Sequence, residues 1–222
     1  MTGHTHHAPG LGFVGCELTA SAGASAGPGG GSGAHAHRRR EVVVSGRRIK
    51  TIDVHAHCVV PEAAKVINHP LEAPGLLWEN IGDRLAQMDV SGVDVEALSI
   101  NPFWYRAERD AAAELIRIQN ETLVQFCSTH PDRFVAFATA SLQFPDLAAQ
   151  QVEHAVKSLG MRGVGVAGSV AGQELADPKF HPFWAKCEEL GVLVFMHPLG
   201  TREFEPTGRL AGSGLLTNTI GN

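Results

Sequence analysis

A chain of 222 residues allows one domain, or one domain with an extension. Hydrophobic residues make up 44% of it and charged residues 18%, ordinary proportions for a globular enzyme that exclude a chain disordered throughout. The formal net charge of -5 excludes the clustered basic excess of a nucleic-acid surface, and the one basic run, His37-Arg38-Arg39-Arg40, is short.

Residues 1–40 form a leader rich in Gly, Ala, Ser and His. The stretch from Ala20 to Gly31 offers too little apolar surface to offset chain entropy, so the leader is expected to be disordered. Its His4, His6, His7, His35 and His37 read as a solvated tail in preference to a metal-collecting one. Arg38-Arg39-Arg40 is no twin-arginine export signal, because the residues after it are too few and too polar for an apolar core.

From about Ile49 onward, strand-like and helix-like segments alternate. The pattern predicts strands at Thr51–His55, Val95–Ile100, Phe134–Thr139, Gly163–Ala167 and Val192–His197. Helices are expected over Ile81–Ser91, Glu108–Thr129, Leu147–Leu159 and Pro182–Leu190; in the second, Ala112, Leu115, Ile116, Gln119, Leu123 and Phe126 fall near helical spacing. The strands are apolar on both faces, as in a buried parallel sheet. Five βα units in a row predict an α/β fold, either doubly wound or a (β/α)8 TIM barrel. No GxGxxG follows strand one, which weakens the dinucleotide-binding option. A complete barrel takes about 250 residues. Residues 41–222 are therefore read as the N-terminal part of a barrel, with about five units present and the remaining strands expected beyond Asn222.

Cys16, Cys58, Cys127 and Cys187 are scattered, with no CxxC pair. They read as reduced thiols and place the chain in the cytoplasm. No apolar run approaches the roughly 18 residues needed to cross a membrane.

Asp53-Val54-His55-Ala56-His57 carries the sharpest chemical signal. Residues i and i+2 on a strand share a face, so His55 and His57 can address one ion. Zinc, manganese and iron all accept imidazole nitrogen. Strand five ends Phe195-Met196-His197-Pro198, which puts a third histidine at the C-terminal strand end, where barrel active sites lie. His69, His130, His154 and His181 read as loop, helix-end or surface residues. After strand two, Phe103, Trp104 and Tyr105 either wall a binding site for an aromatic or unsaturated substrate or cap a packed loop. Arg106 reads as a solvated helix-start residue.

The segments Ile52–His57, Arg84–Val93, His130–Phe134, Gly160–Val164, Asp177–Phe180 and Val194–Pro198, occurring in this order, resemble the amidohydrolase superfamily. The resemblance runs from about Ile49 to the end. It is strongest to the branch containing aminocarboxymuconate-semialdehyde decarboxylase and related aromatic-acid decarboxylases. It implies that His55, His57 and His197 ligate a divalent metal, Zn2+ or alternatively Mn2+, and that a later histidine and aspartate beyond Asn222 complete the site. The chain as it stands is then expected to be incomplete as a catalyst. The implied reaction is non-oxidative decarboxylation of an aromatic or unsaturated carboxylic acid. Two alternatives stand beside it: metal-dependent hydrolysis of a lactone, ester or amide, and an inactive remnant. The segment Val66–Pro74 lacks an obvious counterpart of an arginine found in the aminocarboxymuconate enzymes, and Leu199-Gly200 stands where those often carry tryptophan. The same reaction on a different acid is therefore expected. The expected partner is a small carboxylic acid, with no nucleic acid or membrane; a homodimer is left open.

Overall fold

Parallel pairing of five apolar segments builds the main sheet of the structure, a computed structural model that describes residues 11–14, 17–20, 39–69, 81–100 and 103–197. The leader histidines, Cys16, the 70–74 segment, Asn101-Pro102, Pro198-Leu199-Gly200 and everything after them lie outside the described residues.

In chain order the strands are β1 (Leu11–Val14), β2 (Glu17–Ala20), β3 (Val42–Val44), β4 (Arg47–Ile49), β5 (Ile52–Cys58), β6 (Val95–Ile100), β7 (Phe134–Ala138), β8 (Gly163–Ala167), β9 (Ser169–Val170), β10 (Gln173–Glu174) and β11 (Leu193–His197). The helices are α1 (Pro61–Val66), α2 (Ile81–Ser91), α3 (Arg109–Ser128), α4 (Pro145–Lys157) and α5 (His181–Leu190). The main sheet runs in the order β11-β8-β7-β6-β5, every pair parallel. Helices connect its strands, and the sheet curls into a half-barrel. This is the α/β partial TIM barrel expected from the sequence.

Several boundaries differ from expectation. Strand one does not stop at His55. It runs to Cys58, because pairing with β6 continues to Ile100 after a register shift between Asp53 and Ala56. A short helix, α1, follows at once, with Pro61 pre-setting its first turn. At six residues it is too short to show helical periodicity. Two residues earlier than expected, α4 starts at Pro145. A 3-10 turn over Pro178–Phe180, capped by the Asp177 side chain accepting from Lys179 N, leads into α5. Within the stretch whose composition predicts disorder, β1 and β2 pair antiparallel.

Alternation along the strands sorts two faces. Leu98, Ile100, Val164 and Val166 join Leu115, Ile116, Leu123, Val152 and Phe183 in one buried cluster between sheet and helices. Removing a leucine such as Leu98 or Leu115 to alanine would cost about 2–5 kcal/mol. The other face of β8 carries Gly163 and Gly165. A Cβ on Gly163 would lie 2.8 Å from the Phe137 ring and 2.9 Å from the Leu193 carbonyl oxygen, so only glycine lets β7 and β11 close in there.

Around the N-terminal strand ends, polar groups lock the layers together. Arg133 donates to the Asp89 carboxylate (2.8 Å) and the Asp94 carbonyl (2.9 Å). The buried Asp94 carboxylate accepts from Arg39 and Arg48, each at 2.5 Å, and from Thr51 N at 2.7 Å. These contacts hold the β3–β4 hairpin and the start of β5 against the α2–β6 turn. Opposite charges and backbone N–H together keep the Asp94 carboxyl below the usual carboxylate range, the Thr51 N–H first among the causes. At the other end of the sheet, the Asn120 side chain of α3 donates to Thr139 O (3.0 Å) and accepts from Thr139 N (2.9 Å), substituting for a strand partner after β7.

Candidate metal centre

His55 and His57 stand on β5, and His197 ends β11. These are the two edge strands of the sheet. Laid flat, four strand spacings would hold the edges about 19 Å apart. The curl instead brings the His55 and His197 ring centroids to 4.9 Å, His57 and His197 to 4.7 Å, and His55 and His57 to 4.8 Å. One ligating nitrogen from each ring lies within 4.8 Å of the other two. An ion about 2.1 Å from each nitrogen can separate two of them by at most about 4.2 Å. Binding would therefore draw a pair at 4.8 Å together by at least about half an ångström.

The electrostatics suit a cation. His57 and His197 are buried, whereas His55 is exposed. Burial first, and the neighbouring histidines second, lower the His57 pKa to about 4 and that of His197 to about 3. Both imidazoles are neutral near pH 7, the form that offers a lone pair. Among the described residues neither nitrogen of His197 has a hydrogen-bond partner, and neither does His57 Nε2. Buried polar atoms are normally paired. An unpartnered buried nitrogen on His57 and another on His197, converging with the exposed ring of His55, fit a divalent metal ion.

A glycine and an aromatic set shape the surroundings. Phe195 lies 5.6 Å from His55, and Phe137 lies 6.0 Å from Phe195 (centroid distances). The Phe103 ring is buried, with its centroid 6.3 Å from His197. It packs over Gly165, where a Cβ would meet the ring at 3.5 Å, an ordinary van der Waals contact. Tyr105 stacks behind Phe103 at 5.7 Å and accepts a hydrogen bond from Ala167 N through its hydroxyl (3.3 Å). Burial raises the Tyr105 pKa above its ordinary value. Trp104 has no ring contact with the cluster among the described residues. Its backbone is left-handed (φ 59°) and its ring meets His69 edge-on at 4.8 Å. Gln143 Nε2 lies 3.3 Å from the Trp104 carbonyl oxygen and 3.2 Å from that of Ala107, donating to both.

Sequence reasoning passed over Ser99. This buried residue of β6 pairs in register with His57, and its Oγ lies 2.9 Å from His57 Nδ1. Serine within an apolar strand carries no signal of its own; only the register brings it to the histidine.

A family model described as amidohydrolase matches residues 52–217. The chain is 32% identical over 163 residues to a gamma-resorcylate decarboxylase of Rhizobium radiobacter, covering 66% of this chain and 49% of that protein. It is 31% identical over 117 residues to a 2-amino-3-carboxymuconate-6-semialdehyde decarboxylase of Dictyostelium discoideum, covering 52% of this chain and 33% of that one. A dihydroxybenzoic acid decarboxylase from Polaromonas sp. JS666, solved with bound manganese and the inhibitor 2-nitroresorcinol, superposes with a TM-score of 0.58 at 25% identity. That match covers 72% of this chain and 54% of the solved one. The chain thus spans about half the length of the curated gamma-resorcylate relative.

Proposed function

The chain belongs to the amidohydrolase family, and from that premise we propose that it serves a metal-dependent carboxy-lyase acting on a small aromatic or unsaturated carboxylic acid. The observation that carries the proposal is the convergence of three histidines from the two sheet edges, two of them buried and neutral, at the C-terminal strand ends. His55, His57 and His197 would hold the ion. Manganese is favoured by the solved relative that carries it, with zinc as the alternative. Once bound, the ion supplies positive charge that orients a carboxylate and draws electron density from it.

The chain's own side chains set the rest. Phe103, backed by Tyr105, provides a flat apolar wall 6.3 Å from His197, suited to an aromatic ring. The buried Phe137 and half-buried Phe195 add apolar surface beside the cluster, which strengthens the pull of a charge placed there. Trp104 belongs to the loop that frames this wall and not to the wall itself. The relatives named above are decarboxylases, which favours the lyase reading over hydrolysis of a lactone, ester or amide. Residues 41–222 are taken as the barrel part and residues 1–40 as a leader. A cytoplasmic setting is part of the same proposal, resting on the buried thiols of Cys58, Cys127 and Cys187. Among the described residues no helix is long and apolar enough to cross a membrane.

The test has two readouts. Binding of 2,6-dihydroxybenzoate, followed by calorimetry, should require Mn2+ or Zn2+. Product analysis of any turnover should then show carbon dioxide release and not hydrolysis of a lactone, ester or amide panel. Equal binding with and without metal, or hydrolysis without carbon dioxide, would overturn the proposal.

A further inference from the structure

We propose that Ser99 is a positioning residue that holds His57 in the Nδ1-protonated form, so that its Nε2 lone pair faces the metal site. The inference rests on the metal reading above, but the hydrogen bond itself can be tested separately.

Neighbouring parallel strands bring the two residues together. His57 and Ser99 are register partners on β5 and β6, and their side chains share the inner face of the sheet. The distance between Ser99 Oγ and His57 Nδ1 is 2.9 Å, and both residues are buried. The proton can lie on either atom of this pair. One contact and one unpartnered atom bear on its place. Ser99 Oγ also lies within 3.5 Å of the Ala56 carbonyl oxygen, which can only accept. This long contact gives the hydroxyl proton a direction to turn, leaving an Oγ lone pair free to accept the Nδ1–H of His57. On the far side of the ring, His57 Nε2 is buried with no hydrogen-bond partner among the described residues. A proton there would be an unsatisfied buried donor, whereas a lone pair there joins the nitrogens of His55 and His197. Both observations favour the same tautomer.

His197 differs, because neither of its nitrogens has a partner among the described residues. Of the two buried ligands, only His57 is held through its second nitrogen in this way. Partners of this kind fix ring orientation and raise ligand basicity, and losing one typically lowers metal affinity 10- to 100-fold.

Two measurements test the proposal on the full chain and its Ser99→Ala variant. Long-range 1H–15N correlation spectra of the metal-free proteins report the His57 tautomer. Electron paramagnetic resonance of free Mn2+, and competition with a chromophoric chelator for Zn2+, report affinity. The expected wild-type spectrum shows Nδ1 protonated. In S99A the proton should move to Nε2 or divide between the nitrogens, and affinity for either ion should fall about 10- to 100-fold. A wild-type His57 protonated on Nε2, or an S99A variant with unchanged tautomer and affinity, overturns the proposal. If the wild-type protein takes up neither ion, the metal reading fails, and the tautomer spectrum still upholds or overturns the hydrogen bond. Should S99A fail to fold, S99C takes its place with the same readouts, since its thiol is a much weaker acceptor of similar size.

Discussion

Acidifying the metal-free protein probes the histidine cluster through its stability. Burial is the main cause holding His197 near pKa 3 and His57 near pKa 4, whereas an unfolded histidine titrates at about 6.5. Below that value the unfolded chain binds protons that the folded site refuses, so stability falls as the pH drops. Each refused proton costs about 1.4 kcal/mol per pH unit. From about pH 6.5 to about pH 4.5, His197 alone accounts for about 2 kcal/mol of lost stability, fully expressed only below the folded pKa. Replacing it with asparagine removes that slope. Urea unfolding with a chelator present, followed by far-ultraviolet circular dichroism, gives stability at about pH 7.5 and about pH 4.5 for both proteins. The fixed cost of the substitution cancels between the two pH values, and the carboxylates titrate alike in both proteins. His197→Asn should lose about 2–3 kcal/mol less than wild type over this interval. Parallel curves, within about 0.5 kcal/mol, would refute the assignment of a buried neutral imidazole at this position.

Gly163→Ala places a Cβ against Phe137 and the Leu193 carbonyl and should lower stability by about 1–3 kcal/mol in urea melts, since one of its neighbours is backbone. Asn120→Ala strands the N–H and carbonyl of Thr139 and should cost about 2–4 kcal/mol, with amide exchange at Thr139 accelerated beyond the global change. Phe103→Leu should weaken binding of an aromatic carboxylate about 3- to 10-fold, measured by calorimetry, while metal affinity stays within twofold. Mn2+ at 100 times its dissociation constant should stabilise the wild-type protein by about 2.7 kcal/mol, an effect that EDTA reverses and His197→Asn abolishes; unchanged melting would count against the site.

Strands dense in Val, Ile, Leu, Phe and Ala announce themselves, and β6, β8 and β11 lie within a residue of where their apolar runs place them. His55, His57 and His197 were legible as candidates because imidazoles are conspicuous in such runs. Their convergence is expected from their shared place at the C-terminal strand ends and from the family resemblance, whereas its distances depend on the curl of the whole sheet. Short pieces escaped for local reasons. The helix α1 is only six residues long, and the β3–β4 and β9–β10 hairpins have strands of two or three residues, below the reach of any periodicity. Ser99 and Asn120 act through register and through backbone left bare by a strand end, neither of which is written in residue type. Trp104 in a left-handed conformation defies local preference outright. Arg133, part of a motif that pointed to family, ties Asp89 and the turn before β6 at the end of the barrel away from the histidines.

The histidine cluster joins the first strand of the main sheet to the last, and β6, β7 and β8 are laid down in the chain between them. No local segment can reproduce it. A chain with β5 formed but β11 undocked has two histidines and no third, so high-affinity ion capture would have to wait until every intervening strand is in register. Contacts of such long sequence separation form slowly, because the entropy of closing the loop is spent before they repay it. Ion uptake during refolding would then lag behind secondary structure and serve as a clock for the final closure, marking the moment when the two ends of the sheet meet.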